Sequence, residues 1–244
     1  MPKGLNHRQN QSSFQAARDE CLIIFAKAPF EGKVKTRLAA DIGSEAATGL
    51  YRAFVEDLLF TLSHTGYPIQ IHYWPPDAGI EMTTWLGADY EFLPQSGGDL
   101  GERMASAFAS AFSKNAKQAV LVGTDFPDLP SLIIHDAFNA LSTHDAVIGP
   151  SNDGGYFLIG FTRHGFLPDV FQGIQWGTPS VFSETVKILK KNQNAVHILP
   201  EWWDIDTHGD LLEFISRQKK SIGSKAPRTT RLINMLGLAN EGGR

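Results

Sequence analysis

Cysteine is almost absent from this chain of 244 residues, which contains only Cys21. A single thiol cannot form an intrachain disulfide, and a zinc site built from four cysteines is excluded. Long apolar runs are also absent, and the runs present are far shorter than the ~20 residues that a membrane-spanning helix needs. We therefore expect a cytoplasmic protein with no membrane partner.

The chain has no excess of basic residues either. Its 22 Lys and Arg residues are outnumbered by 26 Asp and Glu residues, for a net charge of −4. A general nucleic-acid-binding protein presents a basic face, so we expect no nucleic-acid partner. Residues 1–19 are polar and lack the apolar stretch of a signal peptide, and we interpret them as a disordered leader. We expect one domain over residues 20–220 and a polar C-terminal tail over 221–244.

Several common catalytic motifs are missing. Gly32-Lys33 invites comparison with a Walker A loop, but position 27 is Lys rather than Gly, and Val34 stands where Ser or Thr is required. The first predicted strand is followed by Lys-Ala-Pro and not by the Gly-x-Gly-x-x-Gly of dinucleotide-binding folds. The chain contains no His-Glu-x-x-His helix and no Gly-x-Ser-x-Gly turn, so covalent Ser or Cys catalysis has no support.

Short apolar runs alternate with amphipathic segments along the chain. The runs predict strands at 21–26, 69–74, 91–94, 118–122, 145–149, 157–161 and 195–199. The amphipathic segments predict helices at 42–62, 80–86, 131–141, 179–191 and 208–219, a further helix after Asp99, and at most one helical turn near 232–236. Strands that alternate with helices indicate a layered α/β fold with a mostly parallel sheet.

A basic loop follows the first predicted strand. It carries Lys27, Lys33, Lys35 and Arg37 against the single acid Glu31. Open α/β sheets bind anionic ligands at the carboxyl ends of their strands, so we predict that these four cations line one cleft and contact phosphates. A solvated loop without a ligand remains the alternative.

A glycine-rich loop precedes the helix that starts after Asp99. Glu102 lies three residues beyond Asp99, which is the spacing of a capping box. Gly97 and Gly98 would let backbone amides approach a ligand closely. A plain turn into a capped helix explains the same residues, and both interpretations stay open.

Carboxylates follow three of the predicted strands. Asp125, directly after strand 118–122, is the first candidate metal ligand, whereas Asp128 is interpreted as a turn residue or a helix cap. Asp204 and Asp206 are alternate residues, so they share a face in an extended segment. We predict that Asp125 and Asp206 converge on one divalent cation.

Two alternatives to these carboxylate roles remain. Asp206 could instead help to cap the helix that follows Thr207. Asp153 belongs to an Asn-Asp-Gly-Gly segment between two apolar runs, which is a strong hairpin signal on its own. Thr178 is predicted to cap the helix that begins with Pro179.

Five longer motifs occur in a fixed order. They are Phe25-Ala-Lys-Ala-Pro-x-x-Gly-x-x-Lys-Thr-Arg-Leu38, Gly98-Asp-Leu-Gly-Glu-Arg-Met104, Gly123-Thr-Asp-x-Pro-Asp-Leu129, Gly149-Pro-x-x-Asp-Gly-Gly-Tyr-x-Leu-Ile-Gly160 and Trp176-x-Thr178. Over residues 21–212 their order and spacing resemble the bacterial family DUF2064, also called rSAM/selenodomain-associated transferase 1, which is classed with glycosyltransferases. The family resembles the nucleotide-diphospho-sugar transferase superfamily, which implies a GT-A fold: a three-layer sandwich with a mostly parallel central sheet. It is also similar to nucleotidyltransferases that guanylylate phospholactate or molybdopterin.

The resemblance implies roles for individual residues. Those implied to bind the nucleotide are Ala26, Lys27, Lys33, Lys35, Arg37, Gln95, Gly98, Gly101 and Arg103. Those implied to bind the acceptor are Asp153, Gly154, Gly155, Tyr156 and Trp176. Lys35, Arg37 and Asp125 would be catalytic, and Asp125 and Asp206 would bind the metal. The Gly-Thr-Asp-Phe motif lacks the Asp-x-Asp spacing of many sugar transferases, which favours nucleotidyl transfer slightly.

Together these features predict a metal-dependent transferase that uses Mg²⁺ or Mn²⁺, because hard carboxylate oxygens suit these ions. Its substrate would be a nucleoside triphosphate, whose nucleotidyl group passes to a small phosphate-containing or carboxylate acceptor, or a nucleotide-sugar. A nucleotide-binding regulatory module without turnover is the alternative. The base, the acceptor and the oligomeric state are left open.

Overall fold

The computed structural model describes residues 19–220 and 225–239, so nearly all of the predicted leader lies outside the described residues. Seven strands form one sheet in the order β3-β2-β1-β4-β6-β5-β7. The strands are β1 (Glu20–Lys27), β2 (Ile69–Trp74), β3 (Glu91–Pro94), β4 (Gln118–Gly123), β5 (Ala146–Pro150), β6 (Tyr156–Thr162) and β7 (Val196–Ile198). Only the two pairs that contain β6 are antiparallel. The predicted α/β fold with a mostly parallel sheet is confirmed, and β5 and β6 form the predicted hairpin.

In the described part of the chain, eight α-helices and a 3₁₀ turn (Pro168–Phe171) accompany the strands, and the last two helices follow β7. The helices are α1 (Thr36–Ile42), α2 (Ser44–Ser63), α3 (Gly79–Leu86), α4 (Leu100–Ser113), α5 (Ser131–Ala140), α6 (Val181–Lys191), α7 (His208–Lys220) and α8 (Pro227–Met235). The sequence did not predict α1. Gly43, with a φ of 86°, separates α1 from α2, because few other residues adopt that backbone conformation. No helix in the described ranges is long and apolar enough to cross a membrane.

The sheet is covered on both faces, which follows from the alternation of side chains along its strands. Leu22 and Ile24 of β1 pack on the side of α2 and α5. Ile23 packs on the opposite side with α4 and α6, where Phe108 is fully buried. A third apolar cluster joins α1, α2, α7 and α8 beside the sheet. The carboxyl ends of the parallel strands are therefore the edge at which loops can form a site.

Helix α8 lies within the interval interpreted from sequence as a polar tail. Its nine residues replace the single helical turn predicted there, and Ile233 is buried against the third cluster. Asp57 of α2, only 1% exposed, accepts hydrogen bonds from the backbone N–H groups of Arg228 (3.1 Å) and Thr229 (2.8 Å). The start of α8 was not evident from sequence because the carboxylate that caps it belongs to another helix.

One predicted helix cap is wrong, and a second candidate cap has its alternative role. Helix α6 starts at Val181, and the Thr178 hydroxyl donates to the carbonyl of Gln175 instead of capping it. Asp128 lies in a turn, which was one of its two predicted roles, and it does not cap α5, whose N-cap residue is Pro130. Its buried carboxylate accepts hydrogen bonds from the Trp202 indole (3.1 Å) and the Gln218 amide (3.2 Å).

The role of Asp128 matters for the site. By binding Trp202 and Gln218, it ties both the segment before α7 and α7 itself to the loop that follows β4. Acidic residues late in the chain are thereby carried to the carboxyl end of β4.

His72 of β2 predicts a dependence of stability on pH. The side chain is buried, and this burial, with the Lys114 ammonium, lowers its pKa to about 4, although the Glu91 carboxylate opposes the shift. Between pH 6.5 and 4 the unfolded chain binds a proton at this position that the folded protein does not. We therefore expect the free energy of unfolding to fall as pH drops through this window.

The His72→Phe variant should lose less stability over the same window. Urea unfolding at several pH values between 4 and 7 measures the difference. His164→Phe, a substitution at an exposed histidine, should follow the wild-type profile. Identical profiles for wild type and His72→Phe would contradict the assignment of this pH dependence to His72.

Candidate functional site

A cavity of about 400 Å³ opens at the carboxyl ends of β1, β2 and β4, and we call it the site cavity. Most of the residues predicted from sequence line it: Ala26, Lys27, Lys35, Gln95, Arg103, Asp125, Asp153, Gly155, Tyr156, Trp176 and Asp206. Five predicted residues do not form its wall: Lys33, Arg37, Gly98, Gly101 and Gly154. The sheet order places the residues that follow β2 and β3 on one side, those that follow β1 and β4 in the centre, and the β5–β6 hairpin on the other side.

Lys35 lies at the centre of the site cavity. Its side chain is 3% exposed, and its ammonium lies 2.6 Å from Oδ1 of Asp125 and 3.6 Å from Oδ1 of Asp206. The backbone of Lys35 has φ 48° and ψ 44°, a left-handed conformation that is strained for a residue with a side chain. The loop after β1 therefore turns sharply into α1 at this residue.

Asp206 reaches Asp125 through a backbone contact between distant segments. The N–H of Ile205 donates to the carbonyl of Asp125 (3.1 Å), and the Ile205 side chain is fully buried. The alternation of an extended segment then turns Asp204 and Asp206 the other way, and both line the site cavity. The predicted shared face of these two aspartates is present.

The side chain of Asp206 does not cap α7, which was its alternative predicted role. Thr207 and Asp210 cap α7 reciprocally: the Asp210 carboxylate accepts from the N–H and hydroxyl of Thr207, and the Thr207 hydroxyl accepts from the N–H of Asp210. The carboxylate of Asp206 instead contacts the side chains of Lys35 and Arg37.

The other cations of the basic loop are more exposed. Arg37 is 73% exposed and donates to Oδ2 of Asp206 (3.1 Å), outside the wall of the site cavity. Lys33 is also exposed and lies outside that wall. Lys27 and Lys35 are thus the two cations of this loop that face the cavity.

The glycine-rich loop is held by a variant of the predicted capping box, in which Glu102 reaches the residue before the cap instead of the cap itself. Asp99 accepts from the N–H of Glu102 (2.8 Å), and the Glu102 carboxylate accepts from the N–H of Gly98 (2.6 Å). The Gly98 amide is therefore engaged within the protein. Gly101 is a packing glycine, because a Cβ there would lie 2.6 Å from the Phe171 carbonyl oxygen.

Gln95 and Arg103 form the side of the cavity next to β2 and β3. The guanidinium of Arg103 stacks on the Trp74 ring, 3.5 Å from its centroid, and its Nε donates to the carbonyl of Gly97. The amide nitrogen of buried Gln95 donates to the carbonyl of His72 (2.9 Å). Contacts within the protein hold both side chains, which give this side of the cavity polar groups.

Tyr51 of α2 is a site residue that the sequence did not single out. Its buried hydroxyl accepts from the N–H of Lys27 (2.7 Å), contacts the carbonyl of Lys27 (3.1 Å) and lies 3.3 Å from the Thr124 hydroxyl. Burial raises the pKa of the Tyr51 hydroxyl, so it stays protonated. One phenol therefore joins the ends of β1 and β4.

Tyr51→Phe should reduce the free energy of unfolding by about 1–2 kcal/mol, because the N–H of Lys27 loses a buried acceptor. Urea unfolding measures the change, with Tyr90→Phe, at a half-buried tyrosine outside the site cavity, as the matched control. A wild-type value for Tyr51→Phe would contradict this role of the hydroxyl.

Asp204 is the second residue that was not assigned to the site from sequence. Burial raises its pKa to about 7, and the Asp153 carboxylate adds to the rise. The Lys35 ammonium opposes it, while Asp125 and Asp210 contribute smaller increases. Its spacing from Asp206 was the available signal, since alternate residues of an extended segment face the same way.

The β5–β6 hairpin forms the side of the cavity expected to hold the acceptor. Asp153 performs turn chemistry, because its Oδ1 accepts from the N–H of Gly155 (2.9 Å) and from the hydroxyl of Ser151. Gly154 has a φ of 88°, and a Cβ there would lie 2.3 Å from the Pro179 carbonyl oxygen. Gly154 therefore docks the hairpin onto the segment before α6.

Aromatic rings complete this side. The rings of Tyr156 and Trp176 lie edge to face with centroids 6.4 Å apart, and the Tyr156 hydroxyl donates to the sulfur of Met104 (3.8 Å). Burial raises the pKa of the Tyr156 hydroxyl. The ring faces provide an apolar surface next to the carboxylates of the cavity.

The carboxylates in the centre fit a divalent cation held partly by substrate. Within residues 19–220 and 225–239, no group of three or more metal-ligating side chains is arranged around one point. Asp125 and Asp206 nevertheless share one cation, the Lys35 ammonium. Mg²⁺ is usually bound by one or two carboxylates together with water and substrate phosphates, and these two residues match that pattern.

Solved structures of other bacterial proteins share this fold. A "putative nucleotide-diphospho-sugar transferase" from Desulfovibrio desulfuricans G20 is 40% identical, with a TM-score of 0.84 over 89% of this chain and 96% of that chain. A cytidylyltransferase from Leptospira borgpetersenii serovar Hardjo-bovis is 14% identical, with a TM-score of 0.52 over 93% and 98% of the two chains. A manganese complex of Rv0371C from Mycobacterium tuberculosis H37Rv is 14% identical, with a TM-score of 0.51 over 84% and 100%. This protein therefore has the fold of the nucleotide-diphospho-sugar transferase class.

The family assignment follows from sequence as well. Residues 60–178 match the model of a family described as "Uncharacterized protein conserved in bacteria (DUF2064)". With this match and the 40% identity to the Desulfovibrio protein, the chain belongs to the DUF2064 family. None of the curated proteins compared with this sequence matches it.

Proposed function

We propose that this protein is a metal-dependent transferase whose substrate is a nucleotide. The observation that carries the proposal is the cluster of Lys35, Asp125 and Asp206 in a cavity at the carboxyl ends of β1 and β4. This is the edge of an open α/β sheet where phosphate ligands bind. The nucleotide-related names of two structural relatives and the manganese bound by a third support the same assignment.

The nucleotide would lie across the centre of the site cavity. Lys27 and Lys35 would bind its phosphates, with Arg37 adding positive charge from outside the wall. The base would lie toward β2 and β3, against Gln95 and Arg103. The acceptor would lie on the other side, against the Asp153–Tyr156 turn and Trp176.

Most of the catalysis would come from positioning and electrostatics. The Lys35 ammonium would neutralise charge that develops on the phosphate oxygens as the bond to the leaving group breaks. Asp125 and Asp206 would hold Mg²⁺ or Mn²⁺, which supplies Lewis-acid stabilisation of a phosphate when bound. The rings of Tyr156 and Trp176 would restrict water on the acceptor side.

Nucleotidyl transfer is the reaction we favour. In it an acceptor oxygen attacks the α-phosphorus of a nucleoside triphosphate and pyrophosphate leaves. The Gly-Thr-Asp-Phe motif without an Asp-x-Asp pair and the structural likeness to a cytidylyltransferase support it. Glycosyl transfer from a nucleotide-sugar is the second candidate, supported by the name of the 40%-identical relative.

Product analysis distinguishes these reactions. The purified protein is incubated with Mg²⁺ or Mn²⁺, with each nucleoside triphosphate or nucleotide-sugar in turn, and with a pool of small phosphates, carboxylates and sugars. Acceptor-dependent release of pyrophosphate supports nucleotidyl transfer, and release of a nucleoside diphosphate supports glycosyl transfer. Saturable nucleotide binding without any product would overturn the proposal in favour of a regulatory module.

A further inference from the structure

The ammonium of Lys35 occupies the position that the proposed function assigns to a metal. It is buried between Asp125 and Asp206, 2.6 Å and 3.6 Å from the nearest oxygen of each. The other oxygen of Asp206 is bound by Arg37. A divalent cation shared by the same two carboxylates would lie within a few ångströms of the ammonium, where like charges repel strongly in a partly desolvated site.

We propose that Lys35 is an internal counter-ion that must leave the Asp125–Asp206 pair when a divalent cation binds there, and that it then passes to the phosphates of the bound nucleotide. This proposal rests on the proposed function in one respect, which is that the second ligand is a nucleotide. In the ligand-free protein the lysine compensates two carboxylates that would otherwise repel each other. In the complex the cation compensates them instead, and the ammonium is free to bind phosphate.

The local structure allows this exchange. The backbone of Lys35 is held as the N-cap residue of α1, where its carbonyl accepts from the N–H of Ala39 (2.8 Å). Beyond that anchor the lysine side chain is a flexible four-carbon chain that ends in a single charge. Arg37 stays paired with Asp206 from outside the cavity, so movement of Lys35 does not leave that carboxylate without a cation.

Positive coupling between metal and nucleotide follows from this arrangement. The metal alone binds weakly because it must displace a buried ammonium, and the nucleotide alone binds weakly because Lys35 is held by Asp125. Each ligand removes the obstacle to the other, and the coupling is reciprocal by thermodynamic linkage. The effect of Lys35 on metal affinity is therefore opposite in sign to its effect on nucleotide binding.

The test is a titration of Mn²⁺ alone, followed by the paramagnetic resonance signal of free Mn²⁺. Lys35→Met removes the charge and keeps the unbranched side chain as far as the ε position, so it should bind Mn²⁺ at least tenfold more tightly than wild type does. Lys187→Met removes the same charge from an exposed position on α6 and should stay within about twofold of wild type. Calorimetry with a nucleoside diphosphate should then show that Mn²⁺ strengthens nucleotide binding less in Lys35→Met than in wild type.

Unchanged or weaker Mn²⁺ affinity in Lys35→Met would overturn the proposal, as would an equal gain in Lys187→Met. Circular dichroism verifies that each variant is folded. If Lys35→Met does not fold, Lys35→Gln replaces it in the same titration. The Mn²⁺ titration needs no turnover. If no product forms in the transfer assay but Lys35→Met binds Mn²⁺ more tightly, the proposed function fails and the counter-ion role stands.

Discussion

Asp125→Asn should abolish the metal-dependent part of nucleotide binding. The amide keeps the shape of the side chain but removes the charge that Mg²⁺ or Mn²⁺ requires, so we expect the strengthening of nucleotide binding by metal to fall by about 100-fold, or ~2.7 kcal/mol. The Asp125 side chain is 42% exposed, and Asp206 still lies beside the buried Lys35 ammonium in this variant, so the fold should lose little stability. Calorimetric titration of nucleotide with and without metal measures the effect.

The comparison requires three further proteins. Wild type gives the full metal effect, and Asp206→Asn tests the second proposed ligand. Asp41→Asn removes one charge from an exposed position of α1 and should resemble wild type. If metal strengthens binding equally in all four proteins, the metal site lies elsewhere. If metal strengthens nucleotide binding as much in Asp206→Asn as in wild type, but not in Asp125→Asn, the metal is bound by Asp125 together with water and phosphate.

Asp57→Ala should reduce the free energy of unfolding by about 3 kcal/mol. The substitution leaves the backbone N–H groups of Arg228 and Thr229 at the start of α8 without their acceptor, and each buried unsatisfied donor costs about 1–3 kcal/mol. Because α8 packs on α2, its loss also exposes apolar surface of the third cluster. Urea unfolding measures the change.

Glu45→Ala, at an exposed position of α2, is the matched control and should change stability by less than about 0.5 kcal/mol. Limited proteolysis should cut Asp57→Ala between residues 225 and 239 sooner than wild type. A wild-type unfolding midpoint for Asp57→Ala would show that α8 contributes little to the domain.

Strand positions could be predicted from sequence because burial leaves a local pattern. The run Cys21–Ala26 lies within β1, and the runs at 69–74 and 118–122 lie in β2 and β4. Helix α1 was missed because its first residues belong to the segment interpreted as a basic loop, and the predicted helix at 42–62 includes only the last residue of α1. The positive φ of Gly43 separates the two helices.

Sequence alone indicated the kinds of side chain at the site: a basic loop after the first strand and carboxylates after later ones. It could do so because parallel strands end at one edge, so residues that follow them gather there. Residue type does not report which way a side chain faces. Gly101 and Gly154 proved to be packing glycines, because the atoms that exclude a Cβ come from residues far along the chain.

Only the tertiary structure decided which charges meet. The bond from the Ile205 N–H to the Asp125 carbonyl brings Asp206 beside Lys35, and it depends on backbone pairing between segments that are distant in sequence. The left-handed backbone of Lys35 turns its ammonium inward, while Arg37, two residues later, stays exposed. The pattern of apolar and charged residues along the chain thus determined an α/β sheet with a site for an anionic ligand at the carboxyl ends of its strands. Long-range hydrogen bonds and one strained residue determined how the charges are arranged in that site.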